Sequence, residues 1–251
     1  MAVSADSAPW QDGADRKAFA VWLGIIWLAM IIGFAVDVPG FLHQTPAAAD
    51  VVYLHGAVFV GWIILFTTQV VFVLRGRMSE HRRLGSKAGY IALLMVPLGV
   101  VTALTTDAQA LTPHTQGLAP PQFLALQVED LIAFGAFIAL GLKFRRDPAA
   151  HRRLMILSMV ALADAGFGRA TEYLFNPATP LAFFLSNEYG NVLLIAAMFG
   201  WDLWRRGRVH RALLLGGLSL IAVELVPAFA YFNPTWGDIA TSIVRAWGHA
   251  A

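Results

Sequence analysis

The sequence predicts an all-α, polytopic membrane protein with seven transmembrane helices, one leading helix followed by three hairpins. Three observations carry this expectation. The 251-residue chain is 58% hydrophobic and 14% charged, whereas a soluble domain carries about 25% charged residues. Its apolar residues gather in long runs, each near the roughly 20 residues that cross a bilayer core. A basic turn opening on His-Arg also returns three times, as His81-Arg82-Arg83-Leu84-Gly85, His151-Arg152-Arg153-Leu154-Met155 and His210-Arg211-Ala212-Leu213-Leu214.

The runs fall at 18–40, 51–74, 84–106, 123–143, 152–174, 187–204 and 211–232. Backbone groups in lipid must bond to one another, and the runs lack the alternation of barrel strands, so each is read as a helix. The first follows a polar segment, 1–17, and exceeds the roughly 7–15 apolar residues of a secretory signal. It is read as a retained helix, with cleavage near Ala47–Ala49 as the alternative. The second run carries His55. The third and seventh contain Pro97 and Pro227, where kinks are expected. The fourth opens on Glu129 and Asp130. The fifth carries Asp164, Arg169 and Glu172 among the small residues Ala161, Ala163, Ala165, Gly166 and Gly168, which allow close packing or leave room for a ligand beside Asp164. The sixth carries Glu188 and Asn191. The seventh carries Gly216-Gly217 and Glu224. Pro39, Pro113, Pro120, Pro121, Pro177 and Pro180 are expected in the connections, ending helices there. Residues 233–251 form a tail in which Ile239, Ile243 and Trp247 recur at helical spacing, as in an amphipathic helix lying on the outer surface.

Charge sets the expected orientation. Sixteen of the eighteen lysines and arginines lie in three turns and just before the first run, while loops 41–50, 107–122 and 175–186 have none. By the positive-inside rule the basic turns are cytoplasmic, with the N-terminus inside and the C-terminus in the periplasm of a bacterial inner membrane. Trp10, Trp201, Trp204, Trp236 and Trp247 flank the runs as interfacial anchors. Basic residues confined to such turns argue against nucleic acid as a partner. They favour membrane lipids, or a membrane protein complex. The absence of cysteine rules out disulfides, thiolate metal sites and a cysteine nucleophile. The seventh run has no lysine for a retinal Schiff base. Phosphate-loop, His-Glu-x-x-His and Gly-x-Ser-x-Gly motifs are also absent.

The order His55-Gly56-Ala57, Gly61-Trp62, Gln69, then His81 to Gly85, His151 to Met155 and Arg206 to His210 resembles that of a family of bacterial multi-pass membrane proteins of uncharacterised activity. The likeness covers about 51 to 232 and implies a topology, not an activity. A shorter likeness, in the His-Arg-Arg turn, is to small membrane proteins that help assemble haem-copper oxidases.

Two sets of residues are candidates for function. At the cytoplasmic rim, His81, Arg82, Arg83, His151, Arg152, Arg153, His210 and Arg211 suit lipid phosphates, or a haem with its propionates held by the arginines. The alternative is that they anchor the protein at the headgroups. Within the runs, His55, Asp130, Asp164, Arg169, Glu172 and Glu224 are expected to face the bundle, because an ionisable residue at a helix centre costs about 2.5–3.5 kcal/mol. Asp164 lies twelve residues beyond Arg152, roughly 18 Å into the membrane. Arg169 and Glu172 are one turn apart and placed to pair. Most of this set falls in the outer half, which predicts a polar cavity open to the outside. The cavity would bind an anion at Arg169, move protons, or hold a metal through His55, Asp130 and Glu172. A structural ion-pair network is the alternative. Three functions follow as expectations. One is a binding or accessory subunit engaging a partner complex or lipid. The others are a small proton-coupled transporter or sensor, and a haem or quinone redox protein.

Overall fold

The computed structural model describes residues 13–43, 47–112, 119–171, 174 and 177–250. Every regular element among them is helical: α1 (Gly13–His43), α2 (Asp50–Leu74), α3 (Met78–Ala110), α4 (Leu124–Lys143), α5 (Pro148–Val160), α6 (Asp164–Thr171), α7 (Pro180–Arg206), α8 (Arg211–Tyr231) and α9 (Pro234–Ala250), with a 3-10 turn at Pro121–Phe123. Six of them, α1, α2, α3, α4 with its preceding turn, α7 and α8, are long and apolar enough to cross a membrane. Their outward faces carry Leu28, Ile32, Leu93, Leu94, Leu215 and Val226, all exposed. An apolar belt of this extent suits lipid, not water.

The fifth predicted run differs. It is two helices of 13 and 8 residues, α5 and α6, joined by a turn at residues 161–163. They rise about 20 and 12 Å, and neither alone crosses a core about 30 Å thick. The break follows from local chemistry. Aspartate favours helix starts over interiors, and the Ala163 carbonyl accepts from the N–H groups of Gly166 and Phe167, starting a new helix at Asp164. Ala161 and Ala163 are almost wholly buried, so the irregular backbone is surrounded by protein, as lipid requires.

The other helices form a closed ring in the order α1, α2, α3, α4, α8, α7, α6 and back to α1, with α5 inside against α1, α4 and α8. Ile156, Leu157, Met159 and Val160 of α5 are buried among Met95, Phe134, Ile195 and Leu220. The ring of Trp62 stands perpendicular to that of Phe134 at 5.6 Å. At the α1–α6 crossing, Gly33 lies against Gly166 with no room for a side chain on either.

Several boundaries differ from expectation, with α3 beginning at Met78 and α7 at Pro180, six and seven residues before the expected runs. Helix α1 begins at Gly13, inside the segment expected to precede it, and runs through Pro39 to His43. A proline so near a helix end removes one ladder bond, and the Pro39 carbonyl is bonded by Nδ1 of His43 at 2.7 Å. Pro97 and Pro227 also lie within continuous helices, α3 and α8. Pro121 and Pro180 start helices, where a missing N–H is harmless. Pro113 and Trp10 lie outside the described residues. Helix α9 turns Ala240 and Val244 inward and leaves Ile239 and Ile243 exposed. It is pinned by Trp236 Nε1 donating to the Gln122 carbonyl and Trp247 Nε1 donating to Thr105.

Candidate functional site

The helices position two polar layers. The first joins the basic turns. Arg153, wholly buried on α5, donates to Asp202 of α7 through Nε at 3.1 Å and Nη2 at 2.5 Å. Arg152 pairs with Asp15 of α1, which also takes Arg206 at 2.7 Å and the Trp201 indole at 3.1 Å. Asp202 accepts from the His210 backbone N–H, tying the start of α8 to the same layer. The His81 and His151 rings lie 6.3 Å apart, and His151 Nδ1 bonds the Gly141 carbonyl at 2.8 Å. The three recurrent turns therefore meet at one end of the bundle. Burial, then the charge of Arg153, pushes the His210 imidazole down to about 4. Its Nδ1 accepts from Ala212 N–H and caps α8. Arg82, Arg83 and Arg211 are exposed at this end. Neither Asp15 nor Asp202 was a sequence candidate. The available signal was an acid directly beside or just before the arginines of each segment, Asp15 before Arg16 and Asp202 before Arg205.

The second layer lies toward the other end. Asp130 of α4, Asp164 of α6 and Glu188 of α7 each present a carboxyl oxygen, all within 4.8 Å of one another. Asn191 Nδ2 donates to Glu188 at 3.0 Å and to Glu224 of α8 at 2.9 Å. Carboxylates brought this close repel one another. Asp164, Glu188, Asn191 and Glu224 are all at most 3% exposed. One oxygen on each of them, and both on Glu129, is buried without a hydrogen-bond partner. Each acid lies six to eight residues from its helix end at this side, a depth of about 9–12 Å.

Among the described residues, aromatic rings lie between the cluster and this end of the bundle. Phe123, Phe183 and Tyr231 lie one to two turns nearer the end, with Phe183 stacked on Tyr231 at 4.4 Å and edge-on to Phe123 at 6.0 Å. A groove of about 330 Å³ at that end is walled by Gln122, Asn233 and Asp238, not by the carboxylates.

The remaining candidates stand apart. Arg169 donates to Asp37 of α1 at 2.5 Å and lies over the Phe34 ring. Its expected partner Glu172 lies outside the described residues. His55 stacks on Phe59 at 4.0 Å, and its Nδ1 is buried without a partner. Among the described residues the close acidic group is Asp130, Asp164 and Glu188; the expected set of His55, Asp130 and Glu172 includes a residue outside them. Glu188 and Asn191, three apart on one face of α7, complete a set that the sequence left divided between runs. Asp107, buried on α3 and bonded by Gln127 at 3.4 Å, is a further acid that the sequence reading missed. No known protein family, curated protein or solved structure matches the chain, so the likeness of its turns to a family rests on those residues alone.

Proposed function

We propose that the chain crosses a bacterial inner membrane seven times, with α5 and α6 together as the fifth crossing, and acts as a small proton-coupled transporter or sensor. From residue 148 to 171 the broken segment is long enough for about 36 Å. The positive-inside rule assigns the basic end to the cytoplasm and α9 to the periplasm. Because the chain has no cysteine, each introduced one is unique. Cysteines at Ser79, Arg146 and Arg208 should resist an impermeant thiol reagent applied from outside, and one at Asn233 should react.

The observation that carries the functional reading is the convergence of Asp130, Asp164, Glu188 and Glu224 from four helices into one cluster, Asp130 half-buried and the others almost wholly buried. Four ionised carboxylates at membrane depth would cost on the order of 10 kcal/mol, comparable with the whole stability of a domain. The cluster must hold protons or a cation, and groups that exchange them are the working parts of coupled transport. An accessory subunit for a partner complex or lipid accounts for the apolar flanks but leaves these acids unexplained. A haem protein would draw on His81 and His151, and its test is a Soret band in the purified protein.

Proteoliposomes with a trapped pH dye test the main reading. Protein-dependent proton movement should be lost in Asp164→Asn and in Glu224→Gln while both variants still insert and fold. Unchanged movement in both removes it.

A further inference from the structure

We propose that the carboxylate cluster binds one hard divalent cation, of the magnesium, manganese or calcium class. This deepens the proton-coupled reading and rests on it.

The geometry comes first. Carboxyl oxygens of Asp130, Asp164 and Glu188 all lie within 4.8 Å of one another. Oxygens on opposite sides of one bound ion are separated by twice the metal–oxygen distance, about 4.0–4.2 Å for magnesium and about 4.6–5.2 Å for calcium. Separations of up to 4.8 Å fall within the span of calcium, and magnesium requires the carboxylates to close by a few tenths of an ångström.

Asn191 is the independent observation. It is wholly buried and its Nδ2 is committed to Glu188 and Glu224, yet its Oδ1 has no hydrogen-bond partner. An unmatched buried carbonyl costs about 1–3 kcal/mol, and nothing in the packing of α7 calls for one. A neutral amide oxygen beside carboxylates is the usual supplement in sites for hard cations. The donor set contains only oxygen, which suits magnesium, calcium and manganese.

A divalent ion brings two positive charges into the cluster and offsets the repulsion among its carboxylates. No electron moves. The ligands come from α4, α6 and α7, so occupancy also joins the short helix beyond the break to its neighbours.

The test uses the purified full-length chain in detergent with Mn²⁺ as probe. Loss of the free-ion electron paramagnetic resonance signal counts bound ions. Calorimetry gives the affinity. One Mn²⁺ per chain is expected. Glu188→Gln should weaken binding by roughly tenfold or more. Asn191→Asp keeps an oxygen ligand, adds charge and should tighten it, so a folding defect in one variant does not decide the matter. Binding unaffected by both substitutions, or no binding at all, overturns the proposal. If Mn²⁺ stays free while Asp164→Asn still abolishes proton movement, the cation is lost and the proton-coupled reading stands. If Mn²⁺ binds as expected but proton movement in the liposomes is unchanged in Asp164→Asn and Glu224→Gln, the transport reading falls instead.

Discussion

Arg153 and Asp202 form a two-point ion pair across the basic end, with the arginine wholly buried and the aspartate nearly so. Removing one member leaves the other's charge without its main partner in a dry site, which typically costs about 3–5 kcal/mol. Asp202→Ala should therefore sharply lower the unfolding temperature in detergent. An unchanged temperature would show that Arg153 finds another partner without loss.

Stability should fall with acid through His210. Its pKa drops from an ordinary 6.5 to about 4 on folding, because of burial and then the charge of Arg153. The folded state thus binds fewer protons than the unfolded chain. Its contribution is complete above about 6.5 and is lost as the pH falls toward 4. His210→Asn retains a side-chain acceptor for the Ala212 N–H without the titration. It should flatten the melting temperature over that interval, and an unaltered pH profile would assign the effect elsewhere.

The α1–α6 crossing should reject side chains. A Cβ on Gly33 would stand 2.2 Å from the Gly166 carbonyl oxygen, and one on Gly166 would stand 2.8 Å from the Ala29 backbone. Backbone cannot yield as a flexible side chain does, so Gly33→Ala and Gly166→Ala should each cost about 1–3 kcal/mol. Gly24→Ala, with open space around it, is the control. Equal melting temperatures for all three would mean that the helices separate freely.

Access to the carboxylates should be governed by the rings above them. Phe183→Ala removes the ring that touches both Phe123 and Tyr231. The variant should exchange protons faster, followed by the infrared carboxyl band after a pH jump, with the same final amplitude. An unchanged rate would direct the route elsewhere.

Arg169 and Asp37 should behave as a pair. Both side chains are more than a third exposed, so the single changes Arg169→Asp and Asp37→Arg should lower stability only modestly. The double swap should recover most of that loss, and no recovery would separate the two residues energetically.

Much of the architecture was legible in the sequence. The apolar runs marked the helices, because only lipid accommodates so many apolar side chains in segments of that length. The His-Arg turns marked one end, because arginines cluster where water and headgroups meet. The break after Val160 was not legible. Residues 152–174 read as one run by composition, and the restart at Asp164 depends on backbone bonds of Ala163 and on burial by α1 and α7. Asp130, Asp164 and Glu224 stood out as acids at membrane depth, but their meeting with Glu188 and Asn191 depends on ring order, which hydropathy does not encode. The pairing of Arg169 with Asp37 joins residues 132 positions apart, and a pattern read within one helix points instead to a neighbour three residues along.

The aromatic stack of Phe123, Phe183 and Tyr231 has a practical corollary. A site beneath packed rings exchanges slowly with the bulk, so an ion bound there in the cell would outlast dialysis. Elemental analysis of freshly extracted material, before any chelator is added, would identify it.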